Sequence, residues 1–122
     1  MEFFKLWLPG NVVPKARPRL SIHGAYLPKR YSDWRKIAES EIALQINDYS
    51  LFPLTTPVSI RIILQGKHRT NIDLDNAAGA LLDCIVATGI LVDDSIKNVS
   101  KLIVEYQSPG ELGAWIEIED VN

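Results

Sequence analysis

Cysteine is almost missing from this 122-residue chain: Cys84 stands alone, so no internal disulfide can form. Such usage fits a reducing compartment, and a cytoplasmic protein is expected. Long hydrophobic runs are missing as well. The longest apolar stretch, residues 79–92, is broken by Asp83 and is too short to cross a bilayer. At the start of the chain, Glu2 and Lys5 sit inside a strand-length pattern, not in a basic segment followed by a long apolar one. Neither a membrane protein nor a secreted one is expected. No repeat of fixed period and no low-complexity tract divides the chain, which reads as one domain over residues 1–122.

A large net charge is the next absence. The formal sum is −2 and the pI about 5.6, which argues nothing for a polyanionic partner. The distribution argues otherwise. Residues 1–36 hold eight basic side chains (Lys5, Lys15, Arg17, Arg19, Lys29, Arg30, Arg35 and Lys36) against two acids, Glu2 and Asp33. The remainder holds five basic and thirteen acidic side chains. A basic front thus precedes an acidic back, as in a protein that meets phosphate on one surface and gathers carboxylates on another. With 47% hydrophobic and 23% charged residues, the composition supports a folded domain with a real core.

Periodicity then gives a coarse fold. Phe4, Leu6 and Leu8 alternate with Phe3, Lys5 and Trp7, the two-residue period of a strand that ends at Pro9-Gly10. From Asn11 to Tyr31 the prolines, Gly24 and most basic residues indicate extended loop or a ragged hairpin. Ser32 is placed to cap a helix over about residues 32–47, whose apolar face is Trp34, Ile37, Ala38, Ile42 and Ile46. Residues 57–65 alternate again as a strand, and Lys67 to Asn71 form a polar, basic loop with His68 at the surface. A second helix is expected from Asp75 or Asn76 to a stop at Gly89, followed by strands over 99–107 and 114–120. The order predicts an α+β domain: a mixed, largely antiparallel sheet with two helices packed on it.

The candidate chemistry lies around the second helix. Asp73 and Asp75, two apart in extended backbone, put their side chains on one face, and Asp94 or Asp93 can join them from beyond the helix. Clustered carboxylates repel unless a cation neutralises them, and hard oxygen ligands suit Mg²⁺, with Mn²⁺ as a substitute. Such a site could orient a water and stabilise charge developing on a phosphodiester. Each residue also has a plainer reading, Asp75 as a helix cap and Asp93-Asp94 as a polar turn. A calcium-loop reading fails, because positions 5 and 6 counted from Asp73 are Ala77 and Ala78.

Asp73-Leu74-Asp75-Asn76, a helix with Asp83, and Gly89-Ile90-Leu91-Val92-Asp93-Asp94 resemble the core signature of the RusA family of Holliday junction resolvases, found in bacteria and their prophages. Pro14-Lys15-Ala16-Arg17-Pro18-Arg19 is similar to the basic, proline-containing start of phage-type members. The resemblance implies a RusA-like fold and a homodimeric, Mg²⁺-dependent endonuclease that nicks opposing strands of a four-way DNA junction in recombination and repair. It implies metal-binding and catalytic roles for Asp73, Asp75 and Asp94, with Asn76, Asp83 and Asp93 in support. One position departs: where the family commonly carries a lysine four residues after the second Asp, this chain has Gly79. Either another cation substitutes, with Lys67, His68 or Arg69 in the preceding loop the nearest candidates, or activity is reduced, or the protein binds branched DNA without cutting it well. Lys15, Arg17, Arg19, Lys29, Arg30, Lys67 and Arg69 are the expected phosphate contacts, with Tyr26, Tyr31 and Trp34 interleaved among the basic residues of the front.

Overall fold

The computed structural model describes residues 3–15, 19–69 and 71–121. Six strands and two α-helices follow one another as β1 (Phe3–Pro9), β2 (Arg19–Ser21), β3 (Gly24–Tyr26), α1 (Lys29–Leu44), β4 (Val58–Gln65), α2 (Leu74–Ala87), β5 (Val99–Gln107) and β6 (Gly113–Asp120), with a short 3₁₀ turn at Tyr49–Leu51. Four strands form the main sheet in the order β1-β6-β4-β5. β6 runs antiparallel to both β1 and β4, while β4 and β5 are parallel. The fold is α+β with a mixed, largely antiparallel sheet, as the periodicity predicts.

One face of that sheet is apolar by strict alternation. Ile60, Ile62 and Leu64 of β4 stand beside Ile118, Ile116 and Ala114 of β6 and are buried with them. Both helices lie on this face and share its core: Tyr31, Ala38 and Ile42 from α1, and Ala77, Leu81, Cys84 and Ile85 from α2. The opposite face holds Lys5, Arg61, Glu105 and Glu117 in a ladder of ion pairs and, beside them, an apolar patch of buried Ile63 with Trp7 and Trp115, whose rings are 4.7 Å apart. Edge strand β1 is closed by Gln45, whose side-chain amide donates to the Trp7 carbonyl at 2.7 Å and accepts from the Trp7 amide at 2.9 Å.

Helix α1 begins three residues before the Ser32 cap that the sequence suggests. Pro28 holds the N-cap position and makes no side-chain cap bond, and the Ser32 amide instead donates to the Pro28 carbonyl at 3.0 Å. Burial of Tyr31 to 1% exposure fixes the first turn, so packing overrides the hydroxyl cap. Gly89, at φ +87°, ends α2 as expected. Its amide bonds Val86 and that of Ile90 bonds Ile85, the paired bonds that close a helix through a left-handed residue. The basic segment after β1 does hold a hairpin, β2–β3, whose apolar Leu20 and Ile22 stand almost fully in solvent.

Burial pushes the Cys84 thiol up to about 12, so no thiolate forms in the folded protein near neutral pH. Cys84 is expected to resist a disulfide-exchange reagent at pH 7 and to react once urea unfolds the chain; prompt reaction in native buffer would contradict that. Ile62→Ala, on the strand paired along both edges, is expected to cost about 3 kcal/mol in urea unfolding.

Candidate active site

Parallel pairing of β4 with β5 requires a crossover, and α2 is that crossover. The loop leading into it folds tightly. Gly66 (φ +88°) packs against Leu112 so closely that a Cβ would lie 2.6 Å from backbone, and its carbonyl accepts from the Tyr106 hydroxyl at 2.7 Å. His68, expected at the surface, is instead buried to 7% exposure, with Nε2 2.9 Å from the Gly113 carbonyl. It ties the loop to the start of β6, which leaves Lys67 and Arg69 on the outside.

Asp73 holds the N-cap position of α2 in extended conformation, yet its carboxylate makes no cap bond. It accepts from the Asn76 side-chain amide at 3.3 Å, while Asp75 accepts from the Asn76 backbone amide at 2.9 Å. Asn76 therefore orients both carboxylates, and both stand exposed at the positive end of the helix dipole, which lowers the cost of holding two anions together. Both are hard oxygen donors open to solvent, the ligand type that a small divalent cation takes.

Asp94 lies elsewhere. It lines an open cleft with Arg35, Asp83, Val86, Ala87 and Asp93, toward the other end of α2. Among the described residues no group of three His, Cys, Asp or Glu side chains is placed to hold a metal ion. Asp93 serves its own turn: hydrogen bonds from Ser95, and then from the Asn98 amide at 2.7 Å, hold its carboxyl below the usual range.

Between the two groups of acids runs one face of α2, formed by Asp75, Gly79 and Asp83 at successive four-residue steps, about 12 Å from end to end. The segment after β1 is laid along it. The Lys15 amide donates to the Asn76 carbonyl at 2.9 Å, and the Lys15 stem crosses Gly79, where an added Cβ would lie 3.1 Å from Lys15 Cδ. The Lys15 ammonium ends 3.4 Å from Asp83 Oδ1. Asp83 Oδ2 accepts a 3.0 Å hydrogen bond from the Tyr31 hydroxyl, and Arg35 reaches the Asp83 carbonyl at 3.5 Å. Burial, and then the bond to Asp83, keep the Tyr31 phenol well above its ordinary value, so it stays a donor.

The cation over Gly79 is therefore Lys15, not a residue of the Lys67-His68-Arg69 loop. Sequence separations of 68 and 52 residues join Lys15 and Tyr31 to Asp83, so no local spacing announces either pair. Lys29 and Arg30 are exposed at the start of α1, where Lys29 pairs with Asp33 at 2.5 Å. Arg17 lies outside the described residues, and Arg19 is described by its place in β2 alone.

The family model of endodeoxyribonuclease RusA matches residues 9–119. No curated protein matches the chain.

Tyr31→Phe removes a donor from a half-buried carboxylate and is expected to cost about 1–2 kcal/mol in urea unfolding at pH 7. An unchanged midpoint would mean that the Tyr31–Asp83 bond contributes nothing.

Proposed function

The chain belongs to the RusA family of endodeoxyribonucleases, and we propose that it cuts four-way DNA junctions by paired, symmetric nicks that depend on a divalent cation. What carries the reading is the exposed pair Asp73 and Asp75, held by Asn76 at the start of the crossover helix within a chain matched over nearly its whole length. Asp73 and Asp75 would hold Mg²⁺, or Mn²⁺ in its place, and the bound cation would supply charge stabilisation for phosphodiester hydrolysis. Asp94 lines the cleft at the far end of α2, and would meet the same substrate from a second position.

The basic front supplies the grip. Lys29, Arg30, Lys67 and Arg69 are exposed, and phosphate contacts of this kind fix a duplex without reading its sequence. A homodimer suits the task, because a four-way junction offers two symmetry-related strands and a two-fold pair of chains presents one site to each. A second reading, a branched-DNA binder that does not cut, is favoured by one observation. The candidate aspartates stand in two groups, and among the described residues no three acidic, His or Cys side chains are placed to hold one metal ion.

Incubating the protein with a synthetic immobile junction and Mg²⁺, then resolving the strands on a denaturing gel, separates the two. The nuclease gives paired nicks, and Asp75→Asn slows them by at least about a hundredfold. Junction binding with no nicks at any Mg²⁺ or Mn²⁺ concentration would establish the binder instead. Affinity is expected to fall tenfold or more between about 50 and 200 mM salt, as phosphate neutralisation releases counterions. A dissociation constant that ignores salt would remove the basic front from the binding surface.

A further inference from the structure

We propose that Lys15 is the residue that contacts the phosphate being cut, reaching it from a groove over Gly79, and that Asp83 with Tyr31 parks its ammonium when no DNA is bound. The proposal rests on the nuclease reading above and deepens it.

Three contacts fix the lysine, which lies in the irregular segment after β1, to the acidic helix. Its backbone amide is bonded to Asn76, the residue that orients Asp73 and Asp75. Its stem lies on the bare backbone of Gly79, a space that any larger side chain would contest. Its ammonium rests beside Asp83, at the near edge of the cleft that Asp93 and Asp94 also line. Gly79 sits inside the helix without positive φ, so its cost of up to about 1 kcal/mol against Ala is not demanded by the backbone. The glycine leaves a channel for Lys15.

The ammonium is held loosely. Its side chain is 51% exposed, and its 3.4 Å pair with Asp83 is long for a charge-assisted bond. A bound phosphodiester brings a further anion to this face, and the flexible stem lets the ammonium swing from Asp83 to it while the backbone bond to Asn76 holds the chain in place. Asp83 does not lose its partner in that exchange, since the Tyr31 hydroxyl continues to donate to it. Tyr31 and Asp83 are thus positioning residues, and Lys15 supplies positive charge where hydrolysis concentrates negative charge.

Relocating the lysine tests the idea. Lys15→Ala should slow single-turnover nicking at saturating protein by on the order of a hundredfold. In divalent-free buffer it should also flatten the slope of log affinity against log salt by about 0.9, one phosphate contact. The double variant Lys15→Ala/Gly79→Lys, in which the vacated groove accepts the new side chain, should recover at least about tenfold of the rate and restore the slope. Nicking by Lys15→Ala at the parental rate, or a double variant no faster than Lys15→Ala, would overturn the assignment. If the parental chain binds junctions and never nicks them, the nuclease reading fails by itself. The salt slope then decides, with an unchanged slope in Lys15→Ala rejecting the phosphate contact and a flattened slope retaining it.

Discussion

Strand β4 is paired along both edges, antiparallel to β6 and parallel to β5, and the parallel edge governs what the rest of the chain can do. Two adjacent parallel strands cannot be joined by a tight turn, so the chain between them must cross the sheet, and here it does so as α2. The apolar face of β4 and β6 calls for cover, and the small residues Ala77, Ala78 and Ala80 let α2 approach closely. Once α2 is set down there, its exposed face cannot turn. Asp75, Gly79 and Asp83 must lie along it in line.

Upon that line the N-terminal segment is fixed. Asp83 accepts from α1 through Tyr31 and pairs with the post-β1 segment through Lys15, so one carboxylate ties three parts of the chain together. A half-exposed ion pair contributes little stability by itself, roughly 0–1 kcal/mol. Its effect is on placement: it brings a cation out of the basic front onto an acidic face. The charge asymmetry of the sequence thus corresponds to a junction between two surfaces rather than to two separate ones.

Elements with a strong period were legible from the sequence. Val58, Ile60, Ile62 and Leu64 spell one buried strand face, and Gly89 reads as the stop it is. Asp73 and Asp75 were picked out on the expectation of extended backbone, but α2 begins at Leu74, so only Asp73 is extended and Asp75 lies in the first helical turn. Asn76, not a two-residue period, links the two. What failed did so for identifiable physical reasons. Ser32 lost the N-cap because burial of Tyr31 sets an earlier start. His68 looked like a loop residue among charges, but the tight Gly66 approach turns it inward to Gly113. The Lys15–Asp83 pairing has no local signature, since it depends on how a proline-bearing segment crosses a helix 68 residues away.

Gly79 shows how a departure from a pattern can carry information. By helix propensity alone it is a defect, and by resemblance it is a missing cation. The structure gives it a steric meaning: the absent side chain is the space through which Lys15 passes. The two positions therefore cannot be read independently, since a lysine at 79 and a lysine at 15 would compete for one groove. A cation on a side chain anchored from a second segment also differs in kind from one carried by the helix itself. Under the role proposed for it, Lys15 would stay with Asp83 until DNA arrives, leaving the acidic face partly neutralised before the substrate binds.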